Sequence, residues 1–370
     1  MYKDNNKINI ESLIFSPLLG LILGIVAEYY SLFSLLFMIF IVLIACVIFV
    51  VLIRFLTLKI LINIVLLWAF FIVGVFAFEY NNCKWKKIYN NLSGEKLDLV
   101  VRVIDKKVDL EGRIKEVLIA KIVKINKQKN IELGGFSVDI KLYLLNRTKL
   151  LVGDIVLFPN IFIKNNKLIN ISGNPSFIKY LNKERIVSVV FLYNPVYKLI
   201  NRPYLCFKRW LWELRLNISY KIQKNFSLLT KNYFKLIFLG DKQGDSRDLR
   251  LIFNQWGLAH YLARAGLHIV LFILIWIFLL AFLPIHLVIK RILLLIICSI
   301  LFILSWVSVP FARAFWVFLL MEIGHLLNRQ VNFLYLLMLI CCFMLICNPM
   351  QLFFLDFQLT FVLTFALAML

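Results

Sequence analysis

The sequence predicts a polytopic α-helical membrane protein with a small all-β module inserted between two membrane blocks. Three observations carry this. Of the 370 residues, 62% are hydrophobic and 17% charged, with a mean hydropathy of +0.86, against roughly 45–50% apolar and about 25% charged in soluble domains. Long runs without charge recur in both flanks. Residues 79–250 hold 33 of the 42 basic and 15 of the 20 acidic side chains, a surplus of 18 in that one stretch. Such a composition argues against one soluble globule and against disorder, which requires low hydrophobicity. A basic surface implies an anionic partner or simple solubility.

A bilayer core about 30 Å thick needs about 20 apolar helical residues. Residues 13–27 form a first, shorter run that ends at Glu28, Tyr29 and Tyr30. Residues 32–53 are 22 positions without a charge, the clearest span, and residues 60–78 are a third. Later candidates are 266–283, 292–309, 314–327, 333–347 and 352–370. Pro284, Pro310 and Pro349 fall between them, where helices tend to end. The run after Lys3 and Lys7 has no small-residue cleavage site and reads as an anchor.

Cytoplasmic loops carry the excess of Lys and Arg. Lys3 and Lys7, then Arg54 and Lys59, place the N-terminus in the cytoplasm and residues 79 onward outside it. Lys290, Arg291 and Arg329 against Arg313 give the second block a matching orientation. The expected location is the bacterial inner membrane.

Between the blocks the period changes. Residues 97–105, 115–126, 136–145, 154–163 and 186–192 alternate or are β-branched. Glu111-Gly112, Gly134-Gly135 and Gly153-Asp154 give turn signals between them. Five strands in about 100 residues suit a small closed barrel. Next, Phe207, Leu211, Leu214, Ile218 and Ile222 recur at helical spacing beside Lys208, Arg209, Arg215, Lys221 and Lys224. The segment is either a helix in the membrane interface or one packed on the barrel or bundle. The organisation expected is 1–78 membrane, 79–200 β module, 201–235 amphipathic helix and 236–370 membrane core.

Of the seven cysteines, only Cys83 and Cys206 lie in the polar stretch, where they could pair. There is no CxxC pattern, phosphate loop, nucleophile triad or paired-carboxylate motif. No catalytic residue, metal or cofactor is therefore assigned.

The densest cluster of chemistry runs from Leu239-Gly240-Asp241-Lys242, with Asp245 and Asp248, to Gly257-Leu258-Ala259-His260 and Ala263-Arg264-Ala265-Gly266-Leu267-His268. This stretch resembles the ComEC family of competence proteins, the inner-membrane channels for DNA uptake. Arg313-Ala314, Asn348-Pro349 and Phe357-Gln358-Leu359-Thr360-Phe361 resemble later family segments in the same order. Gly153-Asp154 and Asn174-Pro175 with Phe177, Tyr180 and Leu181 resemble its OB-like module. Ala265 stands where Ser is usual and Asp356 where Gly is usual. The nuclease-like domain of many members is missing, and the chain stops at Leu370 inside an apolar run.

The resemblance implies an extracytoplasmic OB-like domain and a channel component for single-stranded DNA. Expected partners are that DNA, membrane lipids, a second copy of the chain, and cytoplasmic motor and DNA-receptor proteins. The candidate DNA path is Asp241, His260, Arg264, His268, Arg313 and Gln358, with Gly240, Gly257 and Gly266 as structural turns. His260, Arg264 and His268 are spaced to share one helix face. Such groups at a span entrance should face a bundle interior or wet cavity. Each also has a plainer reading: a carbonyl-bonded packing corner for the histidines, a phospholipid contact for Arg313, and a helix-joining bond for Gln358. The alternatives are a membrane-embedded metal-dependent hydrolase or transferase using His260, His268 and Asp241, and a truncated remnant. For the β module the corresponding choice is between a DNA-binding groove and a solvated surface of lysines.

Overall fold

The computed structural model describes residues 9–30, 58–92, 96–108, 116–126, 139–162, 180–204, 206–234, 252–253, 255–256, 266–305 and 309–369. The run at 32–53 and the cluster from Leu239 to Ala265, with Gly240, Asp241, Asp245, Asp248, Gly257, His260 and Arg264, lie outside these residues. The chain forms two compact units, Lys84–Phe315, and Met1–Cys83 together with Trp316–Leu370.

Within the first of these units, six strands are ordered β5-β3-β2-β1-β4-β6. They are β1 Lys96–Val108, β2 Glu116–Asn126, β3 Asp139–Leu144, β4 Ile155–Phe162, β5 Ile186–Leu192 and β6 Lys198–Asn201. β3 and β5 run parallel, and the other pairs are antiparallel. The five predicted strands are present and β6 is added. Alternation dictates the core: Leu97, Leu99, Val101 and Val103 bury against Leu118, Ala120 and Ile122, and these against Ile140, Leu142 and Leu144. Asn160 takes φ 52°, which shifts the phase of β4 so that Phe158 and Ile161 both point inward.

Gly153 sits at φ +94° before β4 and donates its N–H to Val103 O at 2.8 Å. Left-handed backbone suits glycine. A Cβ there would also meet Cys206 Sγ. Cys206 is a free thiol, so the pairing with Cys83 is not formed.

Among the described residues the helices are α1 Asn9–Tyr29, α2 Leu58–Leu92, α3 Phe207–Asn225, α4 Leu228–Phe234, α5 Gly266–Ala281, α6 Leu287–Leu304, α7 Val309–Leu326, α8 Phe333–Cys347 and, after a 3-10 turn at Pro349–Phe353, α9 Leu355–Met369. Among the described residues, Ile62–Asn82, Leu287–Leu304 and Val309–Leu326 are long and apolar enough to cross a membrane. Three of the boundaries that differ from expectation have a plain physical reading. The helix containing 60–78 continues to Leu92. α6 starts five residues before the predicted 292 and carries Lys290 and Arg291 in its first turns. Pro310 lies at the start of α7 instead of between spans, where its missing N–H costs no bond.

In the other unit, α1 and α2 cross at glycines. A Cβ on Gly20 would collide with Leu67 O, one on Gly24 with Phe71 O, and one on Gly74 with Leu21 O. Small residues let helix backbones meet in a membrane. Tyr29 stacks on Phe353 at 3.8 Å between centroids.

Candidate nucleic-acid interface

The outer face of the sheet is built by the residues that alternate with the core. Arg102 on β1 lies opposite Lys121 on β2, which lies opposite Asp139 on β3. Ile119 faces Lys141 in the next row, and Val117 faces Tyr143 in the row after. Strict alternation would turn Lys124 away from Lys121. A register shift between Val100 and Val101 instead pairs Lys124 with Val100, an outward position on β1. The irregularity thus returns both lysines to one face.

At the β3–β5 edge the face becomes aromatic. Tyr143 pairs with Phe191 across the parallel ladder, and their rings stack at 4.8 Å with 12° between planes. Lys141 Nζ stands 5.1 Å from the Tyr143 centroid. Phe191 is 58% exposed, so one side of the stack is open. Burial raises the Asp139 carboxyl above its ordinary range, opposed by Lys121, Lys208 and Arg185. Burial, then the Glu184 charge, raises the Tyr180 phenol. Cations beside an open aromatic stack are the two elements that bind single strands without sequence preference.

Behind this face two buried polar groups join the sheet to α3. Asp154 is fully buried, and its carboxylate accepts from Arg209 at 2.7 Å, Arg202 at 2.8 Å and Leu151 N at 2.9 Å. Lys106, turned inward by a register shift between Val103 and Asp105, pairs with Glu116 at 2.9 Å. It also donates to Thr148 O and Leu150 O, and Trp212 Nε1 donates to Lys106 O at 2.8 Å. Of the two readings for the amphipathic segment, these contacts supply packing on the sheet.

The helix has a second attachment. Arg215 donates to Leu304 O at 2.9 Å and Ile303 O at 2.7 Å, at the C-terminal end of α6. Its burial lowers the guanidinium pKa, while the negative end of the helix dipole favours a cation there.

The predicted DNA-path residues are not brought together by the described structure. Asp241, His260 and Arg264 lie outside it. Gly266 begins α5, His268 is half-buried in its first turn, and Arg313 is half-buried in the first turns of α7. Gln358 Nε2 donates to Leu352 O at 2.9 Å, tying α9 to the preceding 3-10 turn. Asp356, the departure from the family pattern, falls in the first turn of α9, where a carboxylate suits the helix dipole. Among the described residues no group of three His, Cys, Asp or Glu side chains is placed to hold a metal.

Sequence reasoning missed Glu322, an acid inside α7 whose Oε2 is buried without a hydrogen-bond partner among the described residues. Its signal was legible, because an ionisable group within a span is a functional candidate by default.

No curated protein and no solved structure matches the chain. Residues 237–370 match the family model described as Competence protein. This is the block that carries the Leu-Gly-Asp step, His268, Arg313 and Gln358, and the match agrees with the competence family that the ordered motifs resemble.

Proposed function

We propose that this protein is an inner-membrane component of DNA uptake that passes single-stranded DNA toward the cytoplasm, with its sheet domain outside and its N-terminus inside. The family match over residues 237–370 carries this reading. The sheet domain supplies the DNA contact through Arg102, Lys121, Lys124 and Lys141, with the Tyr143–Phe191 stack as a base platform. An OB-like domain is supported by its connectivity: β1 pairs with both β2 and β4, and β3 lies parallel to β5. The orientation is supported by the polarity of α6, which has Lys290 and Arg291 at one end and the sheet-bound α3 at the other. Basic residues favour the cytoplasmic side. Asp241, His260, Arg264, His268 and Arg313 then line the membrane path, Gln358 braces it, and a second copy, a cytoplasmic motor and a DNA receptor complete the machinery.

The test uses the purified full chain in detergent and a fluorescent oligothymidylate. Binding that weakens as a power of salt concentration, with no preference among sequences, is the expected result. Equal anisotropy with and without protein at low salt would overturn the DNA contact. Failure of the chain to restore transformation to a strain lacking its own uptake channel, despite normal membrane expression, would overturn the transport role.

A further inference from the structure

Helix α3 has more apolar surface than its partners cover. At roughly 100° per residue, Arg209 and Trp212 point to the sheet, and Arg215 lies next round, on the carbonyls of Ile303 and Leu304. Phe207, Leu211, Leu214 and Ile218 occupy the side opposite Arg209. Phe207 is 66% exposed, and the other three are half-buried. Trp210 is 55% exposed and stacks on Phe207 at 5.6 Å. Among the described residues, the hydrogen bonds and ion pairs that hold the helix come from Arg209, Trp212 and Arg215 and not from this stripe.

What covers it follows from where the helix is held. α6 has 18 residues, carries no charge after Arg291, and is long and apolar enough to cross the hydrocarbon. Its C-terminal carbonyls therefore lie at one membrane–water boundary, and Arg215 fixes α3 at that level. The sheet occupies the opposite side of α3, so the stripe is turned away from the domain. Trp and Tyr concentrate at this depth because their rings are amphipathic. Trp210, beside the stripe, and Tyr204 (97% exposed), just before the helix, supply such rings. Lys221 borders the stripe, as a contact for lipid phosphate requires.

We propose that α3 lies in the bilayer interface, with Phe207, Leu211, Leu214 and Ile218 set into the headgroup–acyl boundary of the leaflet that the C-terminus of α6 reaches. The sheet domain is then held against the membrane surface. This inference rests on the chain being a membrane protein and not on the DNA reading.

The test places a spin label at one position at a time through an introduced ketone amino acid, which leaves the seven native cysteines unlabelled. Phe207 and Leu214 are the stripe positions. Glu213, on the far side of α3, and Arg102, on the sheet, are the aqueous references. The full chain is reconstituted in nanodiscs of phosphatidylcholine with phosphatidylglycerol. Accessibility to oxygen relative to a water-soluble nickel chelate should be several-fold higher at 207 and 214 than at 213 and 102. Phe207 is exposed, so its label leaves the fold intact even where a label at Leu214 disturbs packing. Equal ratios at 207 and the reference positions would overturn the proposal. Dipolar broadening between labels on two copies would also overturn it, by giving the stripe to self-association.

Discussion

Asp154 and Arg209 form the buried hinge-pin of the sheet domain: their charged atoms meet at 2.7 Å with the carboxylate fully out of water. The pair ties β4 to the first turn of α3, and Arg209 also donates to Val152 O and Pro203 O. Removing one member of a buried pair leaves the other uncompensated, at a cost of about 3–5 kcal/mol. Asp154→Ala is expected to destabilise the domain by that order, because it strands Arg209 and opens the Leu151 N–H. Arg202→Ala should cost clearly less, since Arg202 is 41% exposed. Thermal unfolding of the two purified variants beside the parent protein checks the order. Equal losses would mean that Arg202, and not Arg209, is the main partner of the carboxylate.

The cationic face makes a prediction that separates charge from stacking. Lys121→Ala and Lys141→Ala should each weaken oligothymidylate binding and lower the salt slope by about 0.7 for each phosphate that is no longer neutralised. Phe191→Ala should weaken it by about 1–3 kcal/mol per stacked base and leave the slope unchanged. Phe191 is the cleaner probe than Tyr143, which also packs on Leu181, Ile186 and Val189. Titrations at four salt concentrations distinguish the two classes, and a changed slope for Phe191→Ala would remove the stacking role.

These elements differ in how plainly the chain announces them. The five long strands are legible because inward positions alternate, as in the buried set of β3, or form an apolar β-branched run, as in β5. β6 is not, because all four of its residues are exposed and no period marks it. The extension of α2 to Leu92 hides behind Glu79, Asn81 and Asn82, polar residues that resemble the end of a span although they permit helix. The burial of Lys106 against Glu116 is not legible, because only the register shift before Asp105 turns Lys106 inward. Asp154 reads as a turn residue, since its arginine partners are 48 and 55 positions away. The DNA-path motifs are legible by their order, and of their residues Asp241, His260 and Arg264 lie outside the described structure.

Asp139 sets a pH dependence. Burial raises its pKa above 3.8, with Lys121, Lys208 and Arg185 opposing. The folded chain therefore holds this proton more tightly than the unfolded chain. Its contribution to stability is greatest below the ordinary carboxylate value and declines as pH rises through the folded value. Asp139→Asn should then be more stable than the parent at neutral pH, with the difference shrinking on acidification. Because Asp139 faces Lys121, the same variant should also bind oligothymidylate more tightly at low salt. A thermal midpoint that falls at neutral pH would show that the Lys121 attraction outweighs desolvation.

The glycine crossing of α1 and α2 predicts a reversal of the usual rule. In a helix interior, Gly→Ala ordinarily stabilises by about 1 kcal/mol through propensity. At Gly20 and Gly24 the added methyl would meet the backbone oxygens of Leu67 and Phe71. Backbone does not yield as a side chain does, so the helices must separate. Overpacking of this kind costs about 1–3 kcal/mol, enough to exceed the propensity gain. Gly20→Ala and Gly24→Ala should each lower the thermal midpoint of the detergent-solubilised chain, and the double variant should lower it further. Ala at either site with an unchanged or higher midpoint would show that α1 and α2 do not cross at these residues.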